Sequence, residues 1–339
     1  MDVIEEGSGV TWSKHDPEEH RKWVLEKKNR SLQDKTMSIK DSVSKYVSNG
    51  DYLAMGGFGH VRISMSAIYE MIRQKKSGIT VAGKTAVHDI EILVAGGCIK
   101  RVDRAYAGAH EVRGLSPAFR RAFEAGQIEV QEWSNASFQW RFRAAAMGIP
   151  FMPTRILMGT DTFKYSGAKV VKDPFTGMKV ALLPACYPDI VFIHVHRCDV
   201  FGNCQIDGIS IEDVDLSRAA RKLVITTEKI IDTSEIRREP WRTTIPFYYV
   251  DAVCEVPFGS HPGNMPYEYY FDEEHIGMYM KMAKTPEGAK EYIDKYVRGV
   301  DDFDGYLSMV GGLKKLSYLR RLEHLREPLR APWALEKNR

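Results

Sequence analysis

Short apolar runs alternate with helix-length amphipathic stretches along most of this 339-residue chain. Several runs, such as Ile190-Val191-Phe192-Ile193 and Val180-Ala181-Leu182-Leu183, have no polar residue at alternate positions. A strand that is apolar on both faces must be covered on both, and that is the condition of a parallel sheet with helices on each side. The chain is therefore expected to be an α/β protein with an open, mostly parallel sheet flanked by helices. Its hydrophobic fraction, 44%, can fill such a core.

Composition excludes several functions. The 48 basic and 45 acidic side chains give a net charge of +3, too balanced for a disordered chain or an electrostatic nucleic-acid binder. The apolar runs are far shorter than the roughly 20 residues that span a membrane, and the polar, acidic N-terminus does not read as a secretory signal. Cysteines at 98, 186, 198, 204 and 254 form no CxxC pair and leave one over in any disulfide scheme. A reduced, cytoplasmic protein is expected.

The alternation gives a segment map. A helix is expected over 38–48, with Ile39, Val43 and Val47 on one face. Asn49-Gly50-Asp51 breaks it, and the strand Tyr52–Met55 runs into Gly56-Gly57-Phe58-Gly59. Helices follow at 63–76, Pro117–Glu124 and 136–147, the last closed by Gly148 and Pro150. Strands are expected at 79–82, 102–107 and 128–133, then at 180–183, 189–197 and 223–227, the last fed by a helix ending at 218–222. Residues 158–177 read as loop. At the far end, Leu316, Leu319, Leu322, Leu325 and Leu329 form one apolar stripe on a helical segment whose basic face is solvated or meets a partner. The resulting division is a polar extension over 1–36, lying on the surface or on a partner, one domain over 37–326, and a tail over 327–339.

The strongest local signal is the glycine cluster at the carboxyl end of the strand Tyr52–Met55, where open α/β sheets place their ligands. Glycines there let backbone N–H groups approach a ligand as a phosphate cradle or an oxyanion hole; a bare tight turn is the plainer alternative. The cluster is not a GxGxxG fingerprint, because Arg62 stands at the third glycine position. His194, His196 and Cys198 alternate along one strand and could hold zinc, but a buried apolar strand explains them, and no metal is expected. Asp199-Val200-Phe201-Gly202-Asn203 reads as a turn. There is no GxSxG, and His88, His110, His194 and His261 are scattered. Glu111, in Ala107-Gly108-Ala109-His110-Glu111, and Glu132 are acids in strand-end settings that surface exposure also explains.

Several of these segments, in this order, resemble the family I CoA-transferases, and among them the A (alpha) subunit of the glutaconate type. The resemblance covers roughly residues 38–325. It rests on Asn49-Gly50 through Gly56-Gly57-Phe58, on the Phe119-Arg120-Arg121 helix, and on Ala144-Ala145-Ala146-Met147-Gly148-Ile149-Pro150-Phe151-Met152-Pro153. Glu235-Ile236-Arg237-Arg238-Glu239-Pro240 and Pro257-Phe258-Gly259-Ser260-His261-Pro262 extend it. Two departures stand out. Ser64 replaces the proline that usually ends the first signature, and the Glu-Asn-Gly motif that carries the family's catalytic glutamate is absent from the sequence.

The resemblance implies the family I CoA-transferase fold and a subunit that lacks the nucleophile. No catalytic residue is expected in this chain; the glutamate would come from a beta subunit, in an A2B2 heterotetramer. An acyl-CoA, dicarboxylic or aromatic/alicyclic, and a carboxylic acid would be the substrates, with the coenzyme A thioester as substrate and no permanently bound cofactor. Gly56, Gly57, Phe58 and Gly59 would form an oxyanion or substrate loop, and His110, Glu111, Ser134 and Asn135 a substrate pocket. Relatives on this architecture that hydrolyse a C–C bond in ring-degradation CoA thioesters, or decarboxylate a glutaconyl-type CoA, offer the alternative. In the hydrolases an acidic residue just after the position of Trp133 takes part, and Asn135 stands there. A non-catalytic scaffold subunit is the third reading.

Overall fold

A computed structural model describes residues 2–107, 109–110 and 113–327. The chain opens with β1 (Val3–Glu6), α1 (Pro17–Glu26) and α2 (Ile39–Tyr46). β2 (Tyr52–Met55), α3 (Met65–Arg73), β3 (Ile79–Ala86), α4 (His88–Ala95) and β4 (Ile99–Ala107) follow as a βαβαβ run. A small hairpin, β5 (Ala109–His110) with β6 (Gly114–Leu115), precedes α5 (Pro117–Glu124), β7 (Glu129–Glu132) and α6 (Asn135–Met147). Next come β8 (Phe151–Thr154), α7 (Asp161–Lys164), β9 (Lys169–Lys172), β10 (Lys179–Pro184), β11 (Ile190–Cys198) and β12 (Cys204–Gln205). α8 (Asp213–Ala219), β13 (Lys222–Ile230), α9 (Thr233–Arg238) and β14 (Ala252–Glu255) complete the sheet, and α10 (Glu273–Met282), α11 (Pro286–Tyr292), α12 (Phe303–Met309) and α13 (Gly312–Glu323) end the chain.

The main sheet has the order β14-β13-β11-β2-β3-β4-β7, every adjacent pair parallel, with β12 added antiparallel to β11. β11 shows why its sequence is apolar throughout. Ile190 and Phe192 face a core with α2–α5 and α10–α13, whereas Val191, Ile193 and Val195 face a second core with α6 and α8. Among the described residues no helix is long and apolar enough to cross a membrane.

Local signals mark several boundaries. Ser134 caps α6, accepting from the Ser137 N–H, and Gly148 closes it at φ +69°, a left-handed position that suits glycine. α4 carried no usable signal: six of its eight residues are buried, so its sequence has no polar face to reveal a helical period. The stretch 158–177 is not plain loop. It holds α7 and β9, and β9 joins β1, β8 and the expected strand β10 in a four-stranded antiparallel sheet; β1, β8 and β9 are four residues each and gave no strand signal. The leucine stripe is shorter than expected. Leu316, Leu319 and Leu322 are buried, but α13 ends at Glu323, Leu325 is exposed, and Leu329 lies outside the described residues.

The first 36 residues bind their own chain, chiefly at the amino-terminal ends of the parallel strands. Lys14 and His15 each meet the Asp189 carboxylate at 2.9 Å, just before β11. The Trp23 indole N–H donates to the Arg221 carbonyl (3.0 Å), just before β13. Lys28 meets Asp251 (2.8 Å), just before β14, with its side chain 1% exposed. The segment is polar because its partners are strand-end carbonyls and carboxylates.

Candidate functional site

The opposite, carboxyl-terminal ends of the strands gather the residues that the sequence singled out. Leaving β2, the chain turns through Gly56-Gly57-Phe58-Gly59 with Gly57 at φ +75°. A Cβ at Gly57 would stand 2.2 Å from the Val61 carbonyl oxygen, and one at Gly56 2.6 Å from Asp213 Oδ1. The turn needs glycine for both conformation and space.

Every amide of this turn has a partner within the chain. Gly56 N–H donates to Phe192 O (2.8 Å), Gly57 N–H to Asp213 Oδ1 (2.9 Å), Phe58 N–H to Val61 O (3.1 Å) and Gly59 N–H to Thr85 O (2.7 Å). The glycines thus allow close packing of backbone on backbone, and the N–H groups are engaged within the chain. Behind the turn, Arg62 is fully buried in the left-handed region (φ +57°). Its guanidinium donates to Asp213 Oδ2 (2.7 Å) and Ile209 O (2.7 Å), fastening the turn to the start of α8.

The chain just after this turn is bonded to the Pro257–Pro262 motif, through Ser66 N–H to Gly259 O (3.1 Å), and to Asn264 just past it. Val61 bridges Asn264, Arg62 N–H donates to Asn264 O (2.9 Å) and Asn264 N–H to His60 O (2.9 Å). His194 supports this junction from β11. Its Nε2 meets Glu228 Oε1 (2.7 Å) and its Nδ1 meets Thr226 Oγ1 (2.8 Å), which also meets Ser64 Oγ (2.8 Å). Glu228 accepts in addition from Tyr269 O–H (2.8 Å) and Phe258 N–H (2.7 Å). Carboxylate, imidazole and hydroxyl are in the order of a triad, but Thr226 and Ser64 have no exposure, so the array is structural. Ser64, where the resemblance would place proline, is thus a buried hydrogen-bonding partner.

His196 lies beyond His194. Its Nδ1 accepts from Asp207 N–H (3.0 Å) and its Nε2 donates to Pro266 O (2.8 Å), which fixes the neutral tautomer. Burial lowers its pKa to about 4. Cys198 departs from the two histidines and packs with Cys204 in the second core. Among the described residues no group of three or more histidine, cysteine or acidic side chains is arranged to hold a metal ion.

The mouth of the site lies where β3 and α6 meet the turn. Lys84 Nζ pairs with Glu212 Oε2 at 3.1 Å, their side chains 9% and 3% exposed. Burial pushes Glu212 up to about 7, with Lys84 pulling it down and Asp213 adding to the rise. Beside them, Thr85 O–H donates to Asn135 Oδ1 (3.2 Å) at the exposed first residue of α6. Asn135 is therefore brought to the glycine turn through Thr85, whereas the Ser134 hydroxyl is occupied in capping α6. Glu132 is engaged by Arg104 at 3.0 Å. His110 pairs with Gly114 in the β5–β6 hairpin, and Glu111 lies outside the described residues.

Sequence reasoning missed the group Lys84, Glu212, Asp213 and Arg62. The acids 212, 213 and 215 open a helix and read as ordinary complements to its dipole. Lys84 stands alone in an otherwise apolar strand, which is the one local hint that it has a buried partner.

Residues 36–256 match the family model described as Coenzyme A transferase. The chain is 57% identical to an uncharacterized protein of Archaeoglobus fulgidus, over 98% of this chain and 75% of that protein. It is 32% identical to the A subunit of glutaconate CoA-transferase from Acidaminococcus fermentans, over 84% of this chain and 94% of that relative. The crystal structure of that enzyme superposes with a TM-score of 0.81, covering 84% of this chain and 95% of the other. A variant of the decarboxylase AibA/AibB superposes with a TM-score of 0.70 at 29% identity, covering 77% and 98%.

Proposed function

This chain belongs to the coenzyme A transferase family, and from that premise we propose that it is the alpha subunit of a heteromeric enzyme. The enzyme moves coenzyme A between an acyl-CoA and a carboxylic acid, as glutaconate CoA-transferase does, and this chain builds one wall of a site that a beta subunit completes with a glutamate. The observation that carries the proposal is a pairing of presence and absence. The residues that follow the Gly56–Gly59 turn are bonded to Gly259 of the Pro257–Pro262 motif and to Asn264 just past it, at the carboxyl edge of the sheet, yet no Glu-Asn-Gly occurs in the sequence.

The chemistry follows from what a carboxylate can do. The partner's glutamate attacks the thioester carbonyl, forming an acyl–glutamyl anhydride and releasing CoA thiolate. The thiolate attacks the glutamyl carbonyl, expelling the acyl carboxylate and leaving a glutamyl–CoA thioester. The incoming acid then repeats the exchange and leaves with CoA. A carboxylate is a weak nucleophile, so the site must hold reactants close and exclude water. This chain supplies a rigid wall, because the turn has neither free amides nor room to relax. Donors for the oxyanion come from side chains or from the partner.

Asn135 favours transfer over hydrolysis, since an amide at that position cannot act as a general base, and Glu132 is held by Arg104. Cytoplasmic location and preference for a dicarboxylic acyl group accompany this reading. The test is to assay CoA exchange between several acyl-CoAs and acetate with the chain alone and with the protein from the neighbouring reading frame. Exchange is expected only with the partner, and only if that partner carries Ser-Glu-Asn-Gly. Robust turnover by the chain alone would sink the proposal.

A further inference from the structure

Among the described residues Lys28, Lys35 and Lys84 hold their ammonium groups largely out of water, and they are not equally provided for. Lys28 donates to Asp251 Oδ2 (2.8 Å) and Arg221 O (3.1 Å). Lys35 donates to Phe247 O and Val250 O, both at 2.7 Å. Lys84 donates to Glu212 alone among the described residues, although an ammonium has three N–H donors. An ammonium with donors left over in a low-dielectric setting is costly unless something else accepts from it. The site is not sealed: the Lys84 side chain keeps 9% of its surface in solvent.

We propose that Lys84 is a carboxylate-binding residue of the substrate site, held ready by Glu212 and shared with the carboxylate of an incoming acid or the distal carboxylate of a dicarboxylic acyl group. This rests on the reading of the chain as a CoA-transferase subunit. Glu212 is faced by Lys84 from β3, by Asp213 beside it on α8 and by Arg62 from behind the glycine turn. A second anion on Lys84 weakens the ammonium's hold on Glu212, so the carboxyl takes up a proton as the acid binds. Affinity for carboxylates then rises as pH falls toward about 7, the value to which Glu212 is raised in the free chain, and levels off below it.

The test uses the full chain in complex with its second subunit, titrated calorimetrically with glutarate and with butyrate in two buffers of different ionisation enthalpy. Wild type is expected to bind glutarate with proton uptake near pH 7. Lys84→Met is expected to bind it at least about 10-fold more weakly, as loss of a charge-assisted hydrogen bond implies. If butyrate weakens equally, the reacting carboxylate occupies the site; if only glutarate weakens, the distal one does. Glu212→Gln is expected to bind as well as wild type or more tightly, without proton uptake, and it decides the matter should Lys84→Met fail to fold. Wild type that binds neither acid, unchanged affinity in a folded Lys84→Met, or unchanged proton uptake in Glu212→Gln overturns the proposal. CoA transfer by wild type is measured separately, so a failure of the transferase reading shows as absent transfer while the titrations still judge Lys84.

Discussion

The two ends of the parallel sheet are finished in opposite ways. At the amino-terminal end the first 36 residues bring charged side chains to strand-end carboxylates and carbonyls, and their donors are matched: Lys28 has a carboxylate and a carbonyl, and Asp189 has Lys14, His15 and the Tyr52 amide. At the carboxyl-terminal end the backbone is just as well matched, with each amide of the glycine turn taken. The side chains at its mouth are not, and Lys84 and Glu212 share a single hydrogen bond. Saturation marks a region built for stability, and spare valence on a buried charge marks one built to receive something.

That contrast can be broken first at its strongest point. Lys28→Met leaves Asp251 buried beside an apolar side chain and is expected to cost about 3–5 kcal/mol of stability, read from denaturant unfolding. A loss below about 1 kcal/mol would mean that the extension only decorates the sheet. Acid should weaken the same end. Burial lowers His20, on α1, to about 4. Below pH 6.5 the unfolded chain takes a proton that the folded chain refuses. The stability present above pH 6.5 is therefore lost as pH falls toward 4, by up to about 3 kcal/mol. In His20→Leu the acid loss should shrink by that share; an unchanged profile would assign it to other groups.

Gly57→Ala sharpens the account of the carboxyl end. With φ at +75° and a backbone oxygen in the way, it should lower the stability of the chain, without any substrate, by about 1–3 kcal/mol. Thermal melting checks this, and an unaltered melting temperature would show that the turn relaxes. The smallest effect is expected from Lys84→Met, about 1 kcal/mol or less, because Glu212 is already poised to become neutral and can protonate when its partner is removed. If Lys84→Met unfolds the chain as readily as Lys28→Met, the two ends are alike and Lys84 is a structural cation.

What could be read in advance follows from the range of the interactions. The strand Tyr52–Met55, its glycine turn and the capped helix after Trp133 are specified within about ten residues, by chain geometry and local capping, and they stand where the sequence places them. α4 and the partners of the expected strand at 180–183 escaped notice because α4 buries its polar residues with its apolar ones, and the small sheet is held by pairings over long separations, such as Val3 with Val171. The partners of the glycine amides could not be read either, since a glycine cluster looks the same in sequence whether its N–H groups face a ligand or a neighbouring carbonyl.

By itself, then, the sequence determined the alternation of strands and helices, the two-faced burial of the sheet, the family signature and the absence of a Glu-Asn-Gly motif, because each is a property of composition or of short-range order. Only the tertiary structure decided that the polar first segment closes the amino end of the sheet, that Arg62 and Asp213 lock the glycine turn, and that Lys84 meets Glu212. Those partners are separated by more than a hundred residues in the chain. A buried charge can be recognised as satisfied or wanting only after folding has chosen its neighbours.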